Sequence, residues 1–356
     1  MSGISRNCVL HIGTEKTGTT TLQAFLDINR EALREQGFLY TESAGKQNNR
    51  LMSLAAFDAQ RRDDFTVLHQ VGTDAELQVL QAQVIARVKA EIENSSCPTT
   101  VFSSEHFHSR LGRPSEIARL KEVLSSLGFE KISVVVYLRR PADLACSLFS
   151  TAVRTGNQML EPPDPTNPYW NLICNHRNTL LKWGEVFGSE NLVPRLFIRQ
   201  EMVGAHIVDD FLHVLGIAKG AMQVPEDQNE ALSAAGLQIL QRLNRTVPTV
   251  HNGKTNPMRR NLVSFVERHF STPKYEMPVE LVKAYDEAYA DSDEWVRENF
   301  FPHRERLFVY GATAPSVGGD EASTRSNMDA MIDMFSDVWI EKHRRIIHLE
   351  KKIKEM

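Results

Sequence analysis

Residues Val9–Leu26 read VLHIGTEKTGTTTLQAFL. The apolar run from Cys8 to Ile12 predicts a buried strand that ends at a glycine. Leu22, Phe25, Leu26 and Leu33 then recur at helical spacing, predicting a helix over 20–36 that Gly37 stops. A strand, a glycine-rich turn and a helix N-terminus together form an anion cradle, because backbone N–H groups converge there and the helix dipole favours negative charge. Gly13 and Gly18 have the separation of the phosphate-binding pattern G-x-x-x-x-G-K-[ST]. Thr19, however, stands at the lysine position, and the lysine is Lys16, inside the loop. A cation reaching in from the loop is a different design from the nucleotide triphosphatase one.

Downstream the same alternation continues. Strands are predicted over 38–40, 99–107, 131–140 and 192–198, and helices over 75–94, 115–127, 142–154, 172–187 and 203–215. Residues 44–73 show no regular pattern, and the proline-rich stretch 161–170 reads as a loop. The continuous run Val134–Leu138 suits a parallel strand buried on both faces. Strands alternating with helices imply a three-layer α/β, P-loop-like fold with a central parallel sheet, plus a helical C-terminal extension. The expected organisation is a domain over 1–310, with its anion-binding core over about 7–220 and a mostly helical part over 221–310. A linker at 311–323 and a last helix at 324–356 follow.

The 356 residues carry a formal net charge of −4, so any anion site must be a local basic pocket, and no nucleic-acid partner is expected. The four cysteines are dispersed without a CxxC pair, which argues against a metal cluster or a disulfide framework. The N-terminus lacks a signal-peptide pattern, and no run of about 18 apolar residues occurs. A cytoplasmic protein without a membrane span is the expectation.

A second motif, YLRRPADLACS at 137–147, sets Arg139 at a predicted strand end and Ser147 eight residues later on the following helix. Together the two motifs resemble those of the sulfotransferases that use 3′-phosphoadenosine 5′-phosphosulfate, and the arrangement RxPxxxAxS resembles the bacterial and carbohydrate-type members. The family loop, roughly P-K-S-G-T-T, is matched by Glu15, Lys16, Thr17, Gly18, Thr19 and Thr20. The resemblance implies that Lys16 steadies the bridging oxygen as the sulfuryl group leaves. It also implies that Thr17, Gly18, Thr19 and Thr20 hold the 5′-phosphosulfate, and that Arg139 and Ser147 clamp the 3′-phosphate. Arg140 competes with Arg139 for that role. The family proline is absent, and Thr21 stands where many members carry a tryptophan near the adenine, so the adenine contact does not carry over. No metal is expected, since the loop, Lys16 and Arg139 supply the positive charge. A P-loop kinase-like phosphotransferase and a non-catalytic nucleotide-binding protein of the same fold are the alternatives.

Transfer to a hydroxyl needs a base. Glu105 and His106 sit at the end of the strand predicted over 99–107, where open α/β sheets bind ligands. The resemblance implies a histidine base in steroid-type members and a glutamate in heparan-type ones. On an extended chain the two neighbours would face opposite ways, and the carbohydrate-type second motif favours Glu105. His11 could line the site or be a packed core histidine. Lys254, Arg259 and Arg260 could complete a 3′-phosphate clamp but read more simply as a solvated loop. The acceptor, a carbohydrate or small metabolite, is not legible; Tyr169 and Trp170 could stack on a sugar or simply pack.

In the last helix Met328, Ile332, Phe335, Trp339, Ile346, Leu349 and Ile353 follow alternating steps of four and three residues, with Lys342 the one polar occupant. From Met328 to Trp339 this face is expected to dock on the protein's own domain. Beyond His343 the narrow seam suits a partner helix, and hence a homodimer.

Overall fold

Val134, Val135, Val136, Tyr137 and Leu138 have no solvent exposure, as a strand covered on both faces requires. The computed structural model describes residues 5–225, 232–251, 254–259, 261–309 and 321–355. The chain divides into two compact units. One comprises Met1–Leu144, Pro165–Asp227 and Glu287–Val309; the other comprises Ala145–Asp164, Gln228–Asp286 and Tyr310–Met356.

The first unit is built on five parallel strands, β1 (Arg6–His11), β2 (Phe38–Tyr40), β3 (Thr99–Ser103), β4 (Phe129–Leu138) and β5 (Leu192–Leu196). Their order is β2-β3-β1-β4-β5. The chain leaves β1 toward β2 and leaves β4 toward β5, in opposite directions. The crevice beyond the C-terminal ends of β1 and β4 is therefore the topological switch point, the usual ligand position in such sheets.

The helices follow in chain order. They are α1 (Thr19–Ile28), α2 (Arg30–Glu35), α3 (Arg50–Ala55), α4 (Asp64–Leu68), α5 (Asp74–Glu93), α6 (His106–Arg110), α7 (Pro114–Ser126), α8 (Pro141–Arg154), α9 (Pro168–Cys174), α10 (His176–Phe187) and α11 (Ile207–Leu215). Leu22, Phe25 and Leu26 of α1, Leu33 of α2 and Val208, Phe211 and Leu212 of α11 pack with Val101, Val135 and Tyr137 on one face of the sheet. Alternation of side chains sends Val134, Val136 and Leu138 to the other face, and α7 and α10 contact β4. This is the three-layer α/β architecture with a parallel sheet that the sequence predicts.

Asp210 links the layers. Its carboxylate accepts from Tyr137 Oη at 2.8 Å, Arg195 Nε at 3.0 Å, Arg195 Nη2 at 2.5 Å and the Val203 amide at 3.0 Å. β4, β5 and α11 are thereby joined through one buried charge.

Several local expectations are corrected. The helix expected over 20–36 breaks at Asn29, whose side-chain amide donates to Phe25 O at 2.7 Å and to Gln223 O at 2.8 Å. A side chain that bonds backbone groups in this way competes with the helix ladder. Residues 44–73 contain α3 and α4; α3 buries Met52, Ser53, Leu54 and Ala55, and a capping box at Asp63 and Thr66 starts α4. Pro168 opens α9 at its first position, with Asn167 as N-cap, so the stretch read as a loop ends in a helix.

In the second unit α12 (Ala234–Thr246) and α13 (Leu262–His269) flank a short antiparallel pair, β6 (Val250–His251) and β7 (Lys254–Thr255). α14 (Val279–Phe300) begins in this unit and belongs to the first from Glu287 on, and α15 (Glu321–Glu355), again in the second unit, is the last helix. The predicted linker lies, up to residue 320, outside the described residues.

Candidate functional site

The loop between β1 and α1 owes its shape to three left-handed residues, Gly13 (φ 55°), Lys16 (φ 64°) and Gly18 (φ 75°). Two are glycines, for which this conformation is free of Cβ strain; Lys16 adopts it at a cost of about 1 kcal/mol. Gly13 has a second reason to lack a side chain, since a Cβ would lie 2.9 Å from Thr19 Cγ2 and 3.2 Å from the Cα of Glu105. Thr14 Oγ1 donates to Tyr137 O at 2.8 Å and Thr17 Oγ1 to Thr14 O at 2.7 Å. Thr14, Thr17 and Thr19 are buried, Lys16 and Gly18 are half-buried, and Thr20 is exposed at the first turn of α1.

Arg139 follows β4 directly. Its Nη1 donates to the Lys16 carbonyl at 2.9 Å, its guanidinium carbon lies 5.8 Å from the Phe197 ring centre, and its own carbonyl bonds His176 Nε2 at 2.7 Å. Arg139 and Lys16 are thus neighbours at the switch point. Arg140 is half-buried beside Arg139. Ser147 is half-buried on α8.

Glu105 and His106 depart from expectation. β3 stops at Ser103, and Glu105 has helical φ/ψ of −66° and −17° at the start of α6. Ser104 Oγ accepts the His106 amide at 3.2 Å, and the Glu105 carbonyl accepts the Ser109 amide at 3.0 Å. The pair is therefore not on an extended chain and does not split to opposite faces; His106 Nε2 and Glu105 Oε1 lie 3.9 Å apart. Glu105 Oε2 accepts from Gln23 Nε2 at 2.9 Å and Asn48 Nδ2 at 3.0 Å. Burial pushes the His106 pKa down against the pull of Glu105, so its ring is neutral at neutral pH.

A further carboxylate emerges that the sequence did not single out. Glu15, in the loop, accepts from Tyr169 Oη at 3.1 and 3.2 Å. Burial raises its pKa, partly offset by Tyr169 and Ser109, and the charge of Glu105 raises it further. Tyr169 is thus a loop partner, while Trp170 is a buried packing residue. Gln23 and Asn48 were equally unmarked, because a polar residue on a helix or in a loop has no distinguishing pattern in one sequence.

Two other candidates prove structural. His11 is fully buried, bonded through Nδ1 to Ser103 Oγ at 2.8 Å and set against the Tyr137 and Phe211 rings; burial lowers its pKa to about 3. Arg259 is not a solvated residue either. It is buried in the second unit, donating to Val247 O at 3.0 Å, Arg154 O at 3.4 Å and Asn244 Oδ1 at 2.5 Å. Lys254 lies on β7, and Arg260 falls outside the described residues.

A cavity of about 220 Å³ lies among α6, α9 and α10, lined by residues that include His108, Asn171, Thr179, Lys182 and Trp183. None of the residues expected to carry chemistry lines it. Among the described residues no group of three or more His, Cys, Asp or Glu side chains could hold a metal ion, and no helix is long and apolar enough to cross a membrane.

No protein-family model matches the chain, and no curated protein sequence matches it. A solved structure, a sulfotransferase from Alicyclobacillus acidocaldarius, is similar at 16% identity and a TM-score of 0.37, over 69% of this chain and 95% of that chain. A likeness at that level assigns neither activity nor residues.

Proposed function

We propose that the protein is a sulfotransferase that moves a sulfuryl group from 3′-phosphoadenosine 5′-phosphosulfate to a hydroxyl of a carbohydrate or small metabolite. The observation that carries this reading is the bond from Arg139 to the Lys16 carbonyl, because it brings the two motifs of the resemblance together at the sheet's switch point. Two phosphate-bearing ends of one donor need two cationic sites near each other, and Lys16 with Arg139 offers them. The left-handed Gly13 and Gly18 shape the turn that this reading needs, and at Gly13 even a methyl group would collide with Thr19 and the Glu105 backbone.

In this reading the loop amides at 16–20 and the hydroxyls of Thr19 and Thr20 bind the 5′-phosphosulfate, and Lys16 opposes charge developing on the bridging oxygen. Arg139 takes the 3′-phosphate. Glu105 takes the acceptor proton; Gln23 and Asn48 hold its Oε2. His106, neutral and 3.9 Å away, is the second candidate for the base.

Thermal shift tests the donor. Adenosine 3′,5′-bisphosphate at about 100-fold over its Kd stabilises by about 2.7 kcal/mol, so it should raise Tm, whereas ATP with Mg²⁺ should not. A shift with ATP and Mg²⁺ alone would turn the reading to a phosphotransferase. A bisphosphate shift without transfer of radiolabelled sulfuryl group to any component of a cell extract would leave a nucleotide-binding protein.

A further inference from the structure

Among the described residues, the last helix, α15, is held to its unit by one face. Met334 is buried, while Asp337 accepts from Arg268 Nη1 at 3.1 Å and bonds His269 Nε2 at 3.0 Å, and Glu341 accepts from Asn261 at 3.2 Å. These positions recur at helical spacing and mark the stripe that docks on α13. The four-three apolar seam is a different stripe, about two-fifths of a turn further round at 3.6 residues per turn. Contrary to expectation, its first half does not dock. Met328 is 57% exposed, Ile332 57%, Phe335 61% and Trp339 72%, and the seam continues open through Ile346, Leu349 and Ile353. The reason is that Met334 and the ion pairs of Asp337 already fix the rotation of the helix, which turns the seam outward. From Lys342 to Ile353 every residue is exposed.

We infer that this seam is the interface of a homodimer, formed by α15 of two copies as a parallel, in-register coiled coil. Seven apolar side chains in one stripe are more than a monomer ordinarily leaves in water. With Ile332, Trp339, Ile346 and Ile353 at heptad position a, positions d are Met328, Phe335, Lys342 and Leu349. Isoleucine at most a positions favours two parallel strands.

Charge selects a second copy of this chain, and its direction. In a parallel pair position g of one helix meets position e of the next heptad on its partner, which sets Arg345 against Glu350 of the second copy, twice over by symmetry. Both side chains are exposed. A fully overlapped antiparallel pair would instead set Asp329 against Glu350, two carboxylates. Lys342 is the single polar layer; its stem can cover the seam while the ammonium reaches water, and such a layer fixes register at a cost in stability. The docking stripe and the seam do not overlap, so each helix pairs without releasing α13.

Light scattering on the full chain tests this. The expected mass at micromolar concentration is twice 40.3 kDa. Ile346→Glu with Leu349→Glu should give a folded monomer, with the circular dichroism of the parent, since neither side chain packs on the protomer's own unit. Arg345→Glu should weaken the dimer severalfold, and adding Glu350→Arg should restore it. A monomeric parent would overturn the proposal, as would a dimer that survives the double seam change. Indifference to both charge changes would overturn the parallel register. The basic end of α15 allows one more check, by sedimentation with vesicles of phosphatidylcholine and phosphatidylserine; a parent that stays monomeric but sediments through the seam has a membrane-facing helix, which would also overturn the dimer.

Discussion

Arg139 Nη1 donates to the Lys16 carbonyl oxygen across 2.9 Å, tying the end of β4 to the turn after β1. One guanidinium thereby fixes a left-handed lysine in the anion loop. Arg139→Lys should weaken adenosine 3′,5′-bisphosphate by about 1.5–3 kcal/mol, because lysine keeps the charge but loses the fork. Adenosine 5′-phosphosulfate, without a 3′-phosphate, should lose less. Titration calorimetry with both ligands checks this; equal losses would mean that Arg139 acts only by shaping the loop.

Lys16 separates chemistry from backbone. Lys16→Ala should cut kcat by on the order of 10²–10³ with little change in donor affinity. Lys16→Gly should show the same loss of turnover, yet a Tm no lower than the parent's, because glycine occupies φ 64° without strain. If kcat survives in both and only KM rises, Lys16 merely binds.

Gly13→Ala tests the cradle. The added methyl meets Thr19 and the Glu105 backbone, and the left-handed φ adds strain. A loss of about 1–3 kcal/mol in chemical denaturation is expected, together with impaired bisphosphate binding.

Glu105→Gln preserves shape and removes the base. Turnover should fall by roughly 10²–10⁴ with donor binding intact, and His106→Asn should stay within a few-fold of the parent. The reverse pattern in steady-state kinetics would exchange the two roles.

Asp210 sets an acid limit on stability. Burial alone would raise its pKa, but Arg195, the Val203 amide and Tyr137 outweigh burial and hold it below the ordinary 3.8. A depressed folded-state pKa stabilises above the unfolded value and is lost as pH falls through the folded one. Asp210→Asn should therefore cost on the order of 3 kcal/mol near neutral pH, and the gap to the parent should close below about pH 4. A gap that is constant with pH in denaturant titrations would show that shape, not charge, is lost.

Sequence alone determined the parts whose signal is local. The run Val134–Leu138 had to be a covered strand, since five consecutive apolar residues leave no face for water. Gly13 and Gly18 marked a turn between strand and helix because left-handed backbone favours glycine. The repeating steps from Met328 to Ile353 announced an apolar stripe. What tertiary structure decided was where such parts point and what they meet. Glu105 and His106 lie one residue apart in any conformation, but whether they share a side depends on β3 ending at Ser103, which Asn49 secures by accepting the Ser103 amide at 3.0 Å. Glu15 gains a raised pKa because the fold buries it and brings up Glu105 from a distant segment, against the opposing bond from Tyr169. Arg259 is buried because Asn244 and two carbonyls surround it, none of them its sequence neighbour. The α15 stripe faces outward because Met334 and Asp337 fix the helix's rotation on α13. Periodicity tells which residues share a side, but contacts between segments far apart in the chain determine which side is covered.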